Sequence, residues 1–331
     1  GPRTAPARQR TLQATLDWSY GLLSETERIV LLRLAIFVGN FPLDAALAVA
    51  AGDGLDQADV FAAIDSLVAK SMVATRSLGT VMRYRLLDTT RAYARDMEAD
   101  AQETAALAVR HARYYREWLK QAGSEWSNLM SGTERAPYFA AVSNVRAALE
   151  WCFGPNGDLQ TGVGLAAAAA PVFLAMSLLP ECHHWSKRAL AAGQPASKFE
   201  EMHLRAGLGI SSMHLYGENE HARAAMNGSL EIAQEERDAR NEAGLLGMLH
   251  MFPFRGGEFS VALSFARRCR TLAEDVDDPA ALALARSILG RSLLMMGDLN
   301  GARVELEELF RAWSPTQQSS TIYLVHDRHY R

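Results

Sequence analysis

The 331-residue sequence predicts a mainly α chain: a small unit of three or four helices with a β-hairpin, followed by a stack of helical hairpins. Two observations predict it. Three Gly-acid pairs, Gly217-Glu218, Gly257-Glu258 and Gly297-Asp298, stand 40 residues apart, and five residues after each Gly comes an alanine, Ala222, Ala262 or Ala302. A fixed period in this range marks a repeat array whose units cannot bury their apolar faces alone. One step earlier the alanine register lands on Cys182, another small side chain. Upstream, apolar stripes of helical period give way to two short β-like runs, the second ending at Leu86.

Taken in order, residues 11–22 place Leu12, Leu16, Tyr20 and Leu23 on one helical stripe. Ser24-Glu25-Thr26-Glu27 reads as a capping box opening a helix over 25–37, which carries Ile29, Leu32, Leu34 and Ile36 and stops at Gly39-Asn40. Pro42 stands near the start of a third helix reaching Ala50, and Asp53-Gly54 turns the chain. A fourth helix over 57–70 points Val60, Phe61, Ile64, Leu67 and Val68 inward. Runs at 71–75 and 81–86 around Gly79-Thr80 read as a hairpin. This is the element order of a winged helix, placed at 11–100 after a linker at 1–10. Asp88 or Thr89 is positioned to cap the next helix, through Tyr93 and Met97.

Residues 101–195 read as a helical linker with atypical first repeats. A helix over 103–121 carries His111, Tyr114, Tyr115 and Trp118, a looser stretch covers 123–137, and a helix over 138–153 ends at Gly154-Pro155-Asn156-Gly157. An Ala-rich helix with a partner over 181–192 follows. Residues 196–331 then form a TPR-like α-α superhelix, with helix pairs 199–216/220–236, 240–255/260–275 and 279–296/300–313. The turn Gly supplies the left-handed backbone that ends a helix cheaply, and the alanine lets two helices approach closely. The period would put the next Gly near 337, so the array reads as cut inside a unit, and the missing initial Met reads as a fragment's start.

The composition, 49% hydrophobic and 22% charged, is that of a globular protein. A net charge of −4 gives no overall pull toward nucleic acid or anionic membrane. Residues 159–180 carry no charge and are long enough to span a bilayer, but their Ala and Gly content, Pro171 and lack of flanking anchors fit a buried helix instead. Cys152, Cys182 and Cys269, widely spaced and without CxxC, fit reduced thiols in the cytoplasm.

No Gly-x-Ser-x-Gly, phosphate-cradling Gly-x4-Gly-Lys or telling carboxylate pair occurs, so no catalytic residue and no enzyme activity is expected of this chain. Cys182-His183-His184 point about 100° apart on a helix and cannot converge, and His326 and His329 near Asp327 read as solvated, so no metal is expected. The fourth helix sets Asp56, Asp59 and Asp65 against Lys70 alone, a face that phosphate repels. Arg110, Arg113, Arg116 and Lys120 form a basic stripe, read as a solvated face or a docking face. Phe252, Phe254 and Phe259 surround the irregular second turn, where core packing is the default and ligand contact the alternative.

The segment Leu16-Asp17-Trp18-Ser19-Tyr20-Gly21-Leu22-Leu23 resembles the Leu-x-x-Ser-Tyr-x-x-Leu opening of the winged helix in STAND-type (NB-ARC-like) signal-transduction ATPases. Leu34-Ala35-Ile36-Phe37, Leu67 through Val73, the closing run Arg83 through Ala94, and Asn144 through Trp151 resemble its later landmarks and the linker of large bacterial regulators. The resemblance implies a piece of a larger transcription regulator that lacks the ATPase module: the array binds a protein or small-molecule inducer and signals to that module. ATP or ADP is then expected only for the full-length protein, with no cofactor in this chain. DNA contact is implied only through a separate effector domain, and no membrane. Many relatives carry Met-His-Asp at the closing run, where this chain has Leu86, Leu87 and Asp88. A Leu cannot donate to phosphate, so that latch is missing or supplied elsewhere. Asp88 and Arg91 keep their positions and are candidate contacts to the nucleotide module, against capping and surface pairing. A constitutive TPR-type scaffold and DNA binding through the winged helix are the alternatives.

Overall fold

Local capping and apolar stripes build the first unit. The computed structural model describes residues 7–78, 81–97, 101–125, 132–193, 195–217, 219–276 and 279–312. The chain divides into two compact units, Gly1–Tyr115 with Ser131–Asp158, and Arg116–Met130 with Leu159–Arg331. This division falls inside the segment expected as a linker. Residues 7–10 of the expected N-terminal linker already belong to a helix.

The first unit runs α1 (Ala7–Gly21), α2 (Glu25–Leu34), α3 (Leu43–Ala50), α4 (Gln57–Ala69), β1 (Val73–Leu78), β2 (Val81–Leu86), α5 (Asp88–Asp96), the start of α6 (Ala101–Glu125) and α7 (Gly132–Cys152). The capping box at α2 forms: the Glu27 amide donates to Ser24 Oγ at 3.3 Å and the Ser24 amide to Glu27 Oε2 at 2.7 Å. An unpredicted second box, Asp56 with Asp59, opens α4. The expected helix over 25–37 ends at Leu34, and Ala35, Ile36 and Phe37 wind on through i→i−3 bonds. Gly39, at φ 75°, then turns the chain.

Val30, Leu31, Leu34, Phe41, Val60, Ile64 and Leu67 fill the core. Phe61 corrects the expectation: it is 50% exposed. The inward stripe of α4 is Val60, Ala63, Ile64 and Leu67, the i, i+3, i+4, i+7 set, and Phe61 lies about 100° off it. The strands pair antiparallel from Val73 opposite Leu86 to Leu78 opposite Val81. β1 starts two residues later than expected because Ser71 sits at φ 59° in the turn leaving α4. Gly79-Thr80 lie outside the described residues. A single bridge, Phe41 to Tyr84, joins the segment before α3 to the hairpin.

The second unit holds the end of α6, α8 (Leu159–Ala175), α9 (Leu179–Ala192) and three hairpins. These are α10 (Lys198–Tyr216) with α11 (Glu220–Glu235), α12 (Ala239–Leu249) and α13 (Met251–Arg255) with α14 (Phe259–Asp275), and α15 (Pro279–Met295) with α16 (Leu299–Ala312). The uncharged helix is α8, buried along nearly its whole length. Among the described residues no helix is long and apolar enough to cross a membrane. The first helix of the middle repeat breaks at His250, where Pro253 has no amide to give the Leu249 carbonyl.

The fold is thus mainly α with one two-stranded sheet, a winged helix and a run of TPR-like hairpins.

Candidate functional site

The array is built by its turns. Gly217, Gly257 and Gly297 adopt φ of 78°, 80° and 85°, the left-handed region that a Cβ disfavours. Ala222, Ala262 and Ala302 are buried where the second helix meets the first, and Cys182 is fully buried one register step earlier. The acid after the Gly varies in role: Asp298 Oδ1 accepts the Gly301 amide at 2.9 Å, whereas Asn219 caps α11 through the Ala222 amide at 2.8 Å. Glu218 lies outside the described residues.

One tie escaped the sequence reading. Ser229 Oγ donates to the Met202 carbonyl at 2.8 Å, and 40 residues on Cys269 Sγ donates to the Ala243 carbonyl at 3.3 Å. In these two hairpins a small polar side chain of the second helix bonds the backbone of the first, while the third has Leu309 at that position. The signal was there as Ser and Cys at one register position.

The aromatic cluster at the second turn divides. Phe252 is 2% exposed, with the Arg223 guanidinium 5.5 Å from its ring centre. Phe254 and Phe259 are half-buried, edge to face at 5.7 Å, and Arg291 lies 5.8 Å from the Phe254 ring. Elsewhere in the array an open cavity of about 520 Å³ is lined by Phe199, His203, Asp238, Arg240, Asn241 and Asp275. Burial pushes the His203 imidazole down to about 4, so it is neutral at physiological pH.

At the closing run, Asp88 does not cap α5. Leu87 is the N-cap residue and makes no side-chain cap bond, while both Asp88 oxygens accept from Arg85 Nη2 at 3.1 Å on an 85% exposed side chain. Arg91 is no surface pair either: its Nε donates to the Ala35 carbonyl at 3.0 Å, tying α5 to the end of α2. Burial, then Arg95, lowers the Arg91 pKa, and Asp88 opposes them.

The basic stripe is not a uniform solvated face. Arg110 binds the Val49 carbonyl at 2.9 Å and Asp53 at 3.2 Å, Arg116 binds Glu200 at 2.6 Å, and Lys120 binds Glu117 at 2.7 Å. Arg113 is exposed. On α4, Asp56 and Asp59 are spent on the capping box, and Lys70 bonds both Glu27 oxygens at 2.7 Å. Cys182 Sγ faces the carbonyls of Ala170 and Gly207 at 3.5 Å, and among the described residues no His, Cys, Asp and Glu cluster suits a metal ion. His326 and His329 lie outside the described residues.

Residues 23–99 match the Winged helix-turn-helix domain family. Proteins of Mycobacterium tuberculosis and Mycobacterium bovis that carry the provisional name HTH-type transcriptional regulator are 32% identical over 296 residues, 88% of this chain and 29% of theirs. An uncharacterised Mycobacterium tuberculosis protein is 39% identical over 114 residues, 34% of this chain and 28% of that protein. The chain therefore spans less than a third of the curated relatives it matches, and it is homologous to proteins named as HTH-type regulators.

Among solved structures, a signal-transduction ATPase with a tetratricopeptide-repeat sensor from Pyrococcus horikoshii aligns at TM-score 0.45 and 12% identity, over 94% of this chain and 53% of that one. BtubC from P. vanneervenii aligns at TM-score 0.46 and 18% identity, over 65% and 91%.

Proposed function

We propose that this chain is the signal-sensing and regulatory portion of a longer STAND-type ATPase transcriptional regulator. Its array binds an inducer or protein partner and biases a nucleotide switch and a DNA-binding part that lie outside it. The observation that carries the reading is an array of 40-residue period joined to a winged helix whose α4 presents no free cationic face, in a chain matching 29% of each relative named as a regulator. A helix that reads a groove needs cations toward phosphate, so DNA recognition belongs to another part. An inducer shifts such a switch only through differential affinity for its two states, so the array holds its partner more tightly in the active arrangement. ATP and ADP belong to the full-length protein, and the three free thiols, all buried, suit the cytoplasm.

The test is ATP turnover by the full-length protein with and without residues 196 onward. Removal of the array is expected to change turnover several-fold, and unchanged turnover sinks the sensing role. In a low-salt gel shift this chain is expected to leave duplex DNA unretarded. Salt-sensitive retardation would return DNA binding to the winged helix.

A further inference from the structure

The first unit holds an open cavity of about 400 Å³ between α2, α5, α6 and α7. Ile29, Leu32, Ile36, Leu107, Ala147 and Trp151 supply its apolar wall. Four charged side chains also line it, and two of them cancel. Arg33 bonds Glu103 at 2.9 Å and is held by the carbonyls of Ala50 and Gly52 at 2.7 Å and by Asp53 at 3.6 Å. Arg91 and Arg95, one turn apart on α5, are left. Among the described residues neither has a carboxylate within 4.0 Å, Arg91 having only its Nε bond to Ala35, and the two guanidiniums repel each other.

His111 adds an independent mark. Its side chain is 1% exposed and lines the same cavity. Nε2 meets Asn144 Oδ1 at 3.5 Å, and since that oxygen only accepts, taking the Val38 amide at 2.7 Å, Nε2 carries the proton. Nδ1 is then a bare acceptor, and among the described residues nothing donates to it. His111 thus brings an acceptor to a cavity that already carries two arginines.

The volume lies within the range of small-molecule sites. We propose that this cavity binds a small organic anion with an apolar body, its charge held by Arg91 and Arg95, its rings against Trp151 and a donor group toward His111 Nδ1. This site is separate from the array, and its failure leaves the sensing role of the array untouched.

The experiment titrates the whole chain calorimetrically with 8-anilinonaphthalene-1-sulfonate and with N-phenyl-1-naphthylamine, the same rings without the sulfonate. One sulfonate probe per chain is expected to bind. Arg95→Gln should weaken that probe at least fivefold while changing the uncharged analogue less than twofold. Arg113→Gln, an exposed charge elsewhere on α6, should leave both unchanged, and Ala147→Phe should fill the cavity and abolish both. No saturable site, a smaller loss in Arg95→Gln, an equal loss in Arg113→Gln, or full binding by a folded Ala147→Phe overturns the proposal. Arg95 is exposed, so its variant decides the matter even where Ala147→Phe fails to fold.

Discussion

At Gly209, α10 and α11 approach closely. A Cβ built there would lie 2.3 Å from Met226 Cγ, 2.9 Å from the Ala222 carbonyl oxygen and 3.1 Å from the Met226 amide nitrogen. The thioether chain can swing away, but the α11 backbone moves only with its whole helix. Two opposed effects then set the outcome of Gly209→Ala. Replacing Gly by Ala inside a helix gains about 1 kcal/mol. Forcing a methyl into a packed contact costs about 1–3 kcal/mol, and a clash with backbone belongs at the upper end. The net expectation is a loss of about 2 kcal/mol, or roughly a 30-fold shift in the opening equilibrium.

Gly228→Ala, in α11 of the same hairpin, is the control. Its Cβ would meet only the Arg205 side chain, at 3.1 and 3.4 Å, whose far end can yield. It is expected to gain up to about 1 kcal/mol from helix propensity. Hydrogen exchange of α10–α11 peptides in the intact chain, with urea unfolding beside it, measures both. A Gly209→Ala protein as stable as the parent, or an equal loss in Gly228→Ala, would refute the close-approach argument.

Two further outcomes follow from other devices. Burial alone would raise the Glu27 pKa, but bonds from Lys70, Ser66 and the Ser24 amide overcome it and hold the carboxyl down from 4.5 to about 2. That shift is worth at most about 3.4 kcal/mol, and because Lys70 is 40% exposed, screening leaves about 1–2 kcal/mol. A depressed carboxylate pKa stabilises above the unfolded value and loses that contribution as pH falls from about 5 to about 2. Glu27→Gln should therefore cost about 1–2 kcal/mol at pH 7, with the gap to the parent closing toward pH 2, as urea melts at several pH values will show; equal stability at pH 7 rejects it. Gly257→Ala tests backbone alone, since no atom lies within 4 Å of the added methyl while φ is 80°. It should lose about 1–2 kcal/mol, with Gly257→Asn recovering part, and a melting temperature equal to the parent's would count against it.

Features written in local spacing were legible in the sequence. Ser24 and Glu27, and Gly217, Gly257 and Gly297 with their alanines, announced a cap and three turns because each depends on residues a few positions apart. Phe61 misled because apolar character was read without its angle on α4, which its neighbour Val60 already defines. Asp88 misled because its side chain turns back to Arg85 three residues earlier instead of capping α5, and the arginines of α6 misled because their partners Val49, Asp53 and Glu200 are distant in sequence. The cavity had no signature at all, since Ile36, Arg95, His111 and Trp151 come from four separate helical segments whose meeting only the fold creates.

Cys152, Cys182 and Cys269 are buried in α7, α9 and α14, and burial pushes all three thiols up to about 12. A folded chain therefore shows almost no thiolate to an alkylating reagent, since thiolate rather than thiol reacts. Each sulfur becomes available only when its own helix opens, so native-state labelling with iodoacetamide times three separate events in one sample. Read by peptide mass, the three cysteines act as clocks already wired into the chain, one in the first unit and two on separate helices of the second.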